Sequence, residues 1–220
     1  MQRVAIYFAP PAGPLADAAA RWLGRDAATG ATFEQPDPEL PGLTVSARRY
    51  GFHATLKAPF RLADGESLDT LRAGVAELAA GLQPVLLEGL EVRCFHGFLA
   101  LVPRGDTGPL EALAAAVVTR LDRFRAPLSA AEIARRNPDA LPARQRALLE
   151  AWGYPLVLDE FRFHMTLTDR LSDALADRLL PLARAHFAAA LEGPVAIDAL
   201  ALFGEGADGV FHQIDRIGLG

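Results

Sequence analysis

Short apolar runs and amphipathic stretches follow one another along the 220 residues in an order that recurs once. The run Val4 to Phe8 predicts a strand, and Gly13-Pro14-Leu15 opens a helix to about Leu23, with proline tolerated in the first turn and Gly24 as the stop. Gly97 to Val102 predicts a matching strand, and Gly108-Pro109-Leu110 opens a longer helix through Leu121. Each half then holds a strand with two unlike faces. From Phe161 to Thr168 apolar and polar positions alternate, so Phe161, Phe163, Met165 and Leu167 form a core face while Arg162, His164, Thr166 and Thr168 form the other. The same alternation sets His53 and Thr55 against Phe52, Ala54 and Leu56.

After each of these strands comes a helix, with Ser67 and Ser172 as N-caps, and then an apolar strand that begins at Pro84 or Pro194. Those prolines fall 31 and 30 residues after His53 and His164, and the glycines that open a further strand, Gly97 and Gly209, fall 44 and 45 residues after them. Offsets kept this closely indicate a diverged duplication. The expectation is one domain over 1–220 built from two pseudo-repeat lobes, about 1–96 and 97–220, with strands exchanged between them. The second half is longer before its motif, and the capping box Ser129-Ala130-Ala131-Glu132 with the stretch Pro142 to Trp152 predicts a helical insertion at about 126–153. It either flanks a cleft or merely decorates the fold. Arg25 to Leu43, with Pro36, Pro38 and Pro41, predicts an irregular loop of a length often used for substrate contact. Pro181 is expected to kink or split the helix after the second motif.

A hydrophobic fraction of 51% fits a soluble globular protein with a good core. No apolar run reaches membrane-spanning length and the N-terminal stretch lacks a secretory h-region, so a cytoplasmic protein without membrane contact is expected. The single cysteine, Cys94, has no disulfide partner and no thiolate cluster to join, in keeping with a reducing compartment. A net charge of −5 argues against indiscriminate binding of long nucleic acid. Arg48, Arg49, Lys57 and Arg61 nevertheless surround the first alternating strand, either as a small-anion site or as an ordinary solvated loop.

The chemistry concentrates in two copies of one phrase, Phe52-His53-Ala54-Thr55-Leu56 and Phe163-His164-Met165-Thr166-Leu167. Each puts an imidazole and a hydroxyl on one face. Two histidines with unperturbed pKa near 6.5 can serve as base and acid in one displacement, and the threonines can donate hydrogen bonds to phosphate oxygens. His53 and His164 are therefore the catalytic candidates, and Thr55 and Thr166 the phosphate-binding ones. Lys57 and Arg162 share their histidines' faces and are candidates for substrate contact. Tyr7 and Tyr50 are cleft aromatics or packing residues. His96, His186 and His212 lack the threonine context and are assigned structural roles. Two matched histidines without nearby paired carboxylates make a metal site improbable, so no metal or other cofactor is expected.

Two His-x-Thr-Leu motifs in duplicated strand-helix halves resemble the 2H phosphoesterase superfamily, which includes RNA ligase T-like proteins and cyclic nucleotide phosphodiesterases. The stretches Arg49-Tyr50-Gly51-Phe52-His53-Ala54-Thr55-Leu56-Lys57-Ala58-Pro59-Phe60, Gly97-Phe98-Leu99-Ala100-Leu101 and Glu160 to Leu167 look like the branch found with bacterial phosphonate-utilisation genes. The resemblance spans nearly the whole chain. It implies a bilobal α+β fold in which two antiparallel sheets face a central cleft with helices outside, each sheet giving one His-x-Thr motif. It also implies metal-independent hydrolysis of a small phosphorylated substrate, a cyclic phosphodiester such as a sugar cyclic phosphate. The alternatives are processing of RNA ends with 2′,3′-cyclic phosphate or 2′-5′ linkages, which would favour a longer basic groove, and a non-catalytic nucleotide- or RNA-binding protein, which would not need two titratable groups.

Overall fold

The computed structural model describes residues 2–220. In chain order its elements are β1 (Val4–Phe8), α1 (Pro14–Leu23), α2 (Leu40–Leu43), α3 (Val45–Tyr50), β2 (Ala54–Phe60), α4 (Leu68–Ala80), β3 (Val85–Leu87), β4 (Leu90–Phe95), β5 (Phe98–Pro103), α5 (Gly108–Arg120), α6 (Ala130–Arg135), α7 (Ala143–Trp152), β6 (Met165–Thr166), α8 (Asp173–Phe187), β7 (Val195–Ile197), β8 (Ala199–Glu205) and β9 (Phe211–Gly218). The class is α+β, and every strand pairing is antiparallel. Among the described residues no helix is long and apolar enough to cross a membrane.

Two sets of strands, β4-β5-β6 and β2-β1-β8-β9, meet at their inner edges through the pair Ala54↔Met165, which makes the order β4-β5-β6-β2-β1-β8-β9 continuous. The two motif strands are thus neighbours on the floor between the sets. β3 and β7, the strands that begin after Pro84 and Pro194, pair with each other in a separate two-stranded sheet. Buried side chains of α1, α4, α5 and α8, among them Trp22, Leu71, Val117 and Leu179, join Val4, Ile6, Phe8, Leu56 and Met165 in the main core. The opposite face of β1 is also covered, by a smaller cluster in which Tyr7 packs with Ala201, Phe203 and Phe211. Burial on both faces accounts for the uniformly apolar run of β1.

The punctuation read from the sequence acts as expected at several ends. Gly24 stops α1 in the left-handed conformation, Ser67 and Thr70 close a capping box on α4, and Ser129 with Glu132 closes one on α6. Pro181 does not split α8, which runs unbroken from Asp173 to Phe187. The proline lies on the exposed face, where the carbonyl of exposed Asp177, left without its helical donor, can turn to water. The second alternating strand is shorter than expected, two residues long. Beyond it the Leu167 N–H still donates to the Leu99 carbonyl at 2.8 Å, and the Thr168 hydroxyl accepts from the Leu99 N–H at 2.9 Å. The Trp22 indole donates to the Leu167 carbonyl at 2.9 Å, tying the first half's α1 to the second motif.

Candidate active site

The Ala54↔Met165 pair determines the site. In an antiparallel register, continuing one step each way sets His53 opposite Thr166 and Thr55 opposite His164. Ala54 and Met165 are fully buried on the core face, so these four residues project from the other. Cross-strand neighbours on one face lie about 4.5–5.5 Å apart. The result is a quartet with the two histidines on one diagonal and the two threonines on the other.

Both rings are oriented alike. His53 Nδ1 lies 2.8 Å from the Gly51 carbonyl and His164 Nδ1 lies 2.8 Å from the Arg162 carbonyl. A carbonyl only accepts, so in each case Nδ1 carries the proton and Nε2 is left for chemistry. The Thr55 hydroxyl lies 3.2 Å from His53 Nε2 and can donate to it. Tyr7, only 1% exposed, stacks on the His53 ring with centroids 3.8 Å apart and an interplanar angle of 25°. Phe95 and Phe98 flank His164, with centroids at 5.0 and 5.6 Å. Burial pushes the His53 pKa down to about 4, against the opposing hydrogen bond to Gly51, and the nearby His164 charge adds to the lowering. Burial also lowers His164, opposed by its Arg162 carbonyl and assisted by His96. Both rings are thereby held towards the neutral form.

A cavity of about 360 Å³ opens over His53, His164 and Thr166, with Tyr50, Phe98 and Arg170 around it and Ser46 and Ala47 of α3 as one wall; Thr55 does not line it. These two α3 residues follow the Arg25–Leu43 loop, which itself contributes no residue to the lining of this cavity. Asp169 fixes that wall, since its carboxylate accepts from the Ser46 N–H at 3.0 Å and the Ala47 N–H at 3.2 Å. A second cavity of about 280 Å³, between the Pro10-Pro11 segment, Phe33 and Arg216, includes neither histidine in its walls. Among the described residues no group of three or more His, Cys, Asp or Glu side chains comes together to hold a metal ion.

Several sequence candidates take other positions. Lys57, 3% exposed, donates to the Asp122 carboxylate at 2.8 Å and to the Val118 carbonyl at 3.1 Å, so it is removed from the cleft. The cause is a bulge. Tyr7 pairs with Thr55 but Ile6 with Lys57, so Leu56 is an extra residue on β2, and beyond it the strand runs beneath α5 and the insertion. Arg162 folds its guanidinium onto the Asp159 and Phe161 carbonyls and serves the site through its own carbonyl. Tyr7 is a ring support rather than a lining residue, whereas Tyr50 lines the cavity and stacks on Phe211. The expected basic cluster does not assemble: Arg48 bonds Gln35 and the Pro41 carbonyl, Arg49 bonds Glu205 and the Gly209 carbonyl, and Arg61 bonds Glu132. His186 bonds the Ala18 carbonyl and His212 lies 3.0 Å from Arg25. His96 stands close enough to His164 to affect its charge.

Arg170 is one of the cleft residues that the motifs did not point to, with Ser46, Ala47 and Asp169. The signal for Arg170 was present, because Arg162, His164, Thr166, Thr168 and Arg170 share one parity.

A family model described as "Protein of unknown function (DUF1045)" matches residues 55–212. The chain is 43% identical over 229 residues to a protein of Janthinobacterium sp. (strain Marseille) named Ribose 1,5-bisphosphate phosphokinase PhnN, a match covering 99% of this chain and 51% of that one. It is 35% identical over 222 residues to a protein of the same name from Laribacter hongkongensis (strain HLHK9), covering 98% and 51%. The chain therefore spans about half the length of the curated relatives it matches. Two solved structures are similar at a TM-score of 0.45 and 14% identity. One is described as a phosphoesterase, covering 100% of this chain and 99% of that one, and the other as E. coli LigT in apo form, covering 99% and 97%.

Proposed function

The chain belongs to the DUF1045 family, and from that premise and its paired His-Thr motifs we propose that it is a 2H-type phosphoesterase that hydrolyses a small cyclic phosphodiester without a metal. The observation that carries this reading is the Ala54↔Met165 register. In-line displacement at phosphorus needs the attacking and leaving oxygens on opposite sides, and so needs base and acid on opposite sides. Histidines on one diagonal satisfy that demand. Threonine hydroxyls on the other diagonal face the non-bridging oxygens, whose charge develops as the reaction proceeds.

His53 is the base. Burial, which pushes its pKa down to about 4, keeps the ring neutral and its Nε2 free to accept a proton. His53 Nε2 takes a proton from water as the water oxygen bonds to phosphorus. The P–O bond to the ring oxygen breaks, and His164 Nε2–H gives its proton to that oxygen, leaving a phosphomonoester and a free hydroxyl. The charges of Arg48, Arg49 and Arg61 are engaged within the protein, which disfavours a long RNA groove.

The names of the longer relatives bear on the substrate. Triphosphate-binding loops of the P-loop kind use a lysine after a glycine-rich turn, whereas this chain's single lysine, Lys57, is buried against Asp122. We assign the named kinase activity to the half of those proteins that this chain does not match. Opening the 1,2-cyclic phosphate of ribose 5-phosphate at O2 yields ribose 1,5-bisphosphate, the compound in their name. That cyclic sugar phosphate is the substrate we propose.

The test follows ring opening by phosphorus NMR. The wild type is expected to open the cyclic sugar phosphate, with the rate unchanged by prolonged chelation. His53→Ala and His164→Ala are each expected to lose roughly 10²- to 10⁴-fold. With a p-nitrophenyl phosphodiester, whose leaving group needs no proton, His164→Ala is expected to recover most of its rate and His53→Ala is not. A wild type that opens no cyclic ring overturns the function, and equal loss of both variants on the activated ester overturns the acid assignment.

A further inference from the structure

We propose that Arg170, with His96 on the hairpin turn beside it, forms a phosphomonoester subsite at the His164 end of the cleft that selects substrates bearing a second phosphate. The proposal rests on the cyclic phosphodiesterase reading and names what that site recognises beyond the reacting ring. Arg170 is exposed, lines the cavity over His53, His164 and Thr166, and makes no hydrogen bond or ion pair among the described residues. The other arginines around the cleft have partners: Arg25 bonds the Phe211 and Arg48 carbonyls, and Arg48, Arg49 and Arg162 are held as described above. The nearest carboxylate in sequence, Asp169, is engaged with the backbone of α3 and is turned to that task. A guanidinium left unpaired in a cleft is suited to a ligand anion, which it can grip through two parallel N–H donors.

The turn next to it adds an imidazole. The Arg170 guanidinium lies against Gly97, within 3.0 Å of where a Cβ on that glycine would stand. Any side chain there would therefore displace it. Gly97 has φ +85° and His96 φ +49°, so the tight turn between β4 and β5 carries its imidazole on a left-handed residue. The His96 ring packs edge-on against Phe95 at 4.4 Å, and Phe95 in turn lies 5.0 Å from His164. Arg170 thus places a permanent positive charge in the wall of the cavity that holds both histidines, with the His96 imidazole on the adjoining turn outside that wall. A cyclic phosphate on C1 and C2 of a pentose with a phosphomonoester on C5 presents a second anion beside the reacting one.

Two measurements test the subsite. The first compares kcat/KM for a pentose 1,2-cyclic phosphate with and without a 5-phosphate. The second titrates ribose 5-phosphate calorimetrically into the protein and is independent of turnover. Arg170→Gln is expected to lower the ratio of the two kcat/KM values about tenfold or more, and to weaken ribose 5-phosphate binding similarly, as for loss of a charge-assisted contact. Arg170→Lys should restore part of both. His96→Asn, which keeps a residue tolerant of the left-handed turn, is expected to produce a smaller loss in the same direction. An unchanged substrate ratio and unchanged binding in Arg170→Gln overturn the subsite even where the wild type is active. If the wild type opens no ring yet Arg170→Gln loses ribose 5-phosphate binding, the hydrolase reading falls and the anion subsite stands. An unchanged titration in His96→Asn removes that residue from it.

Discussion

Gly51 and Arg162 each stand two residues before a histidine and give that ring's Nδ1 a carbonyl at 2.8 Å. The two motifs therefore share a backbone geometry as well as a wording. Gly51 bears the greater constraint. It has φ +78° and ψ 173°, a conformation open in practice to glycine, and a Cβ there would come within 2.4 Å of Ala27 Cβ. Gly51→Ala must shift the peptide whose carbonyl holds His53. We expect it to cost about 1–3 kcal/mol of stability and, separately, to lower kcat at least tenfold with His53 still present. Urea denaturation and steady-state kinetics on one preparation check both, and a destabilised variant with normal kcat would show that the carbonyl does not position the ring. At this scale the sequence made the quartet legible through parity alone. The fates of Lys57 and of the arginines around the first motif depended on partners up to 160 residues away, which no local pattern records.

Element by element, the signals that could be read were those whose cause is local. Proline at a helix start, glycine at a helix end and serine with its capping partner act within four residues, and α1, α4, α6 and α7 lie where those residues put them. Besides the unbroken run of α8 through Pro181, the bulge at Leu56 and the short β6 escaped, because each of these is decided by what packs across the strand. The bulge has an energetic consequence. Burial lowers the pKa of Lys57, while burial alone would raise that of Asp122, yet hydrogen bonds from Arg125 and Lys57 hold the carboxyl below its usual range. Asp122 thus stabilises two cations, and its carboxylate keeps Arg125 if the lysine is lost. Lys57→Met removes a desolvated ammonium and is expected to cost no more than about 1–2 kcal/mol, whereas Asp122→Ala strands Lys57 and is expected to cost about 3–5 kcal/mol. Denaturation of the two variants at neutral pH gives the comparison. Equal losses would mean that the lysine, not the carboxylate, holds this junction, and Lys57→Met should retain wild-type KM because the ammonium does not reach the cleft.

For the molecule as a whole, the cleft makes the fold sensitive to mild acid. The folded-state pKa of His53 is depressed from 6.5 to about 4, and that of His164 is depressed as well. Above about pH 6.5 both rings are neutral whether the chain is folded or not, and their burial carries no protonation penalty. As pH falls from there towards 4 the unfolded chain binds protons that the folded cleft refuses, so stability declines across that window. A ring held at about 4 instead of 6.5 corresponds to roughly 2 kcal/mol once the partial exposure of His53 is counted. The carboxylates in ion pairs, Glu205 and Asp122 among them, have depressed folded pKa values and lose their contribution only at lower pH, as their own protonation begins. The two windows are therefore separable. Urea midpoints measured at pH 7, 6 and 5 are expected to fall in the wild type and to fall much less in the His53→Gln, His164→Gln double variant, whatever that variant's stability at pH 7. Parallel curves for the two proteins would mean that the histidines are not held neutral by the cleft, and the assignment of His53 as a base ready at neutral pH would lose its electrostatic ground.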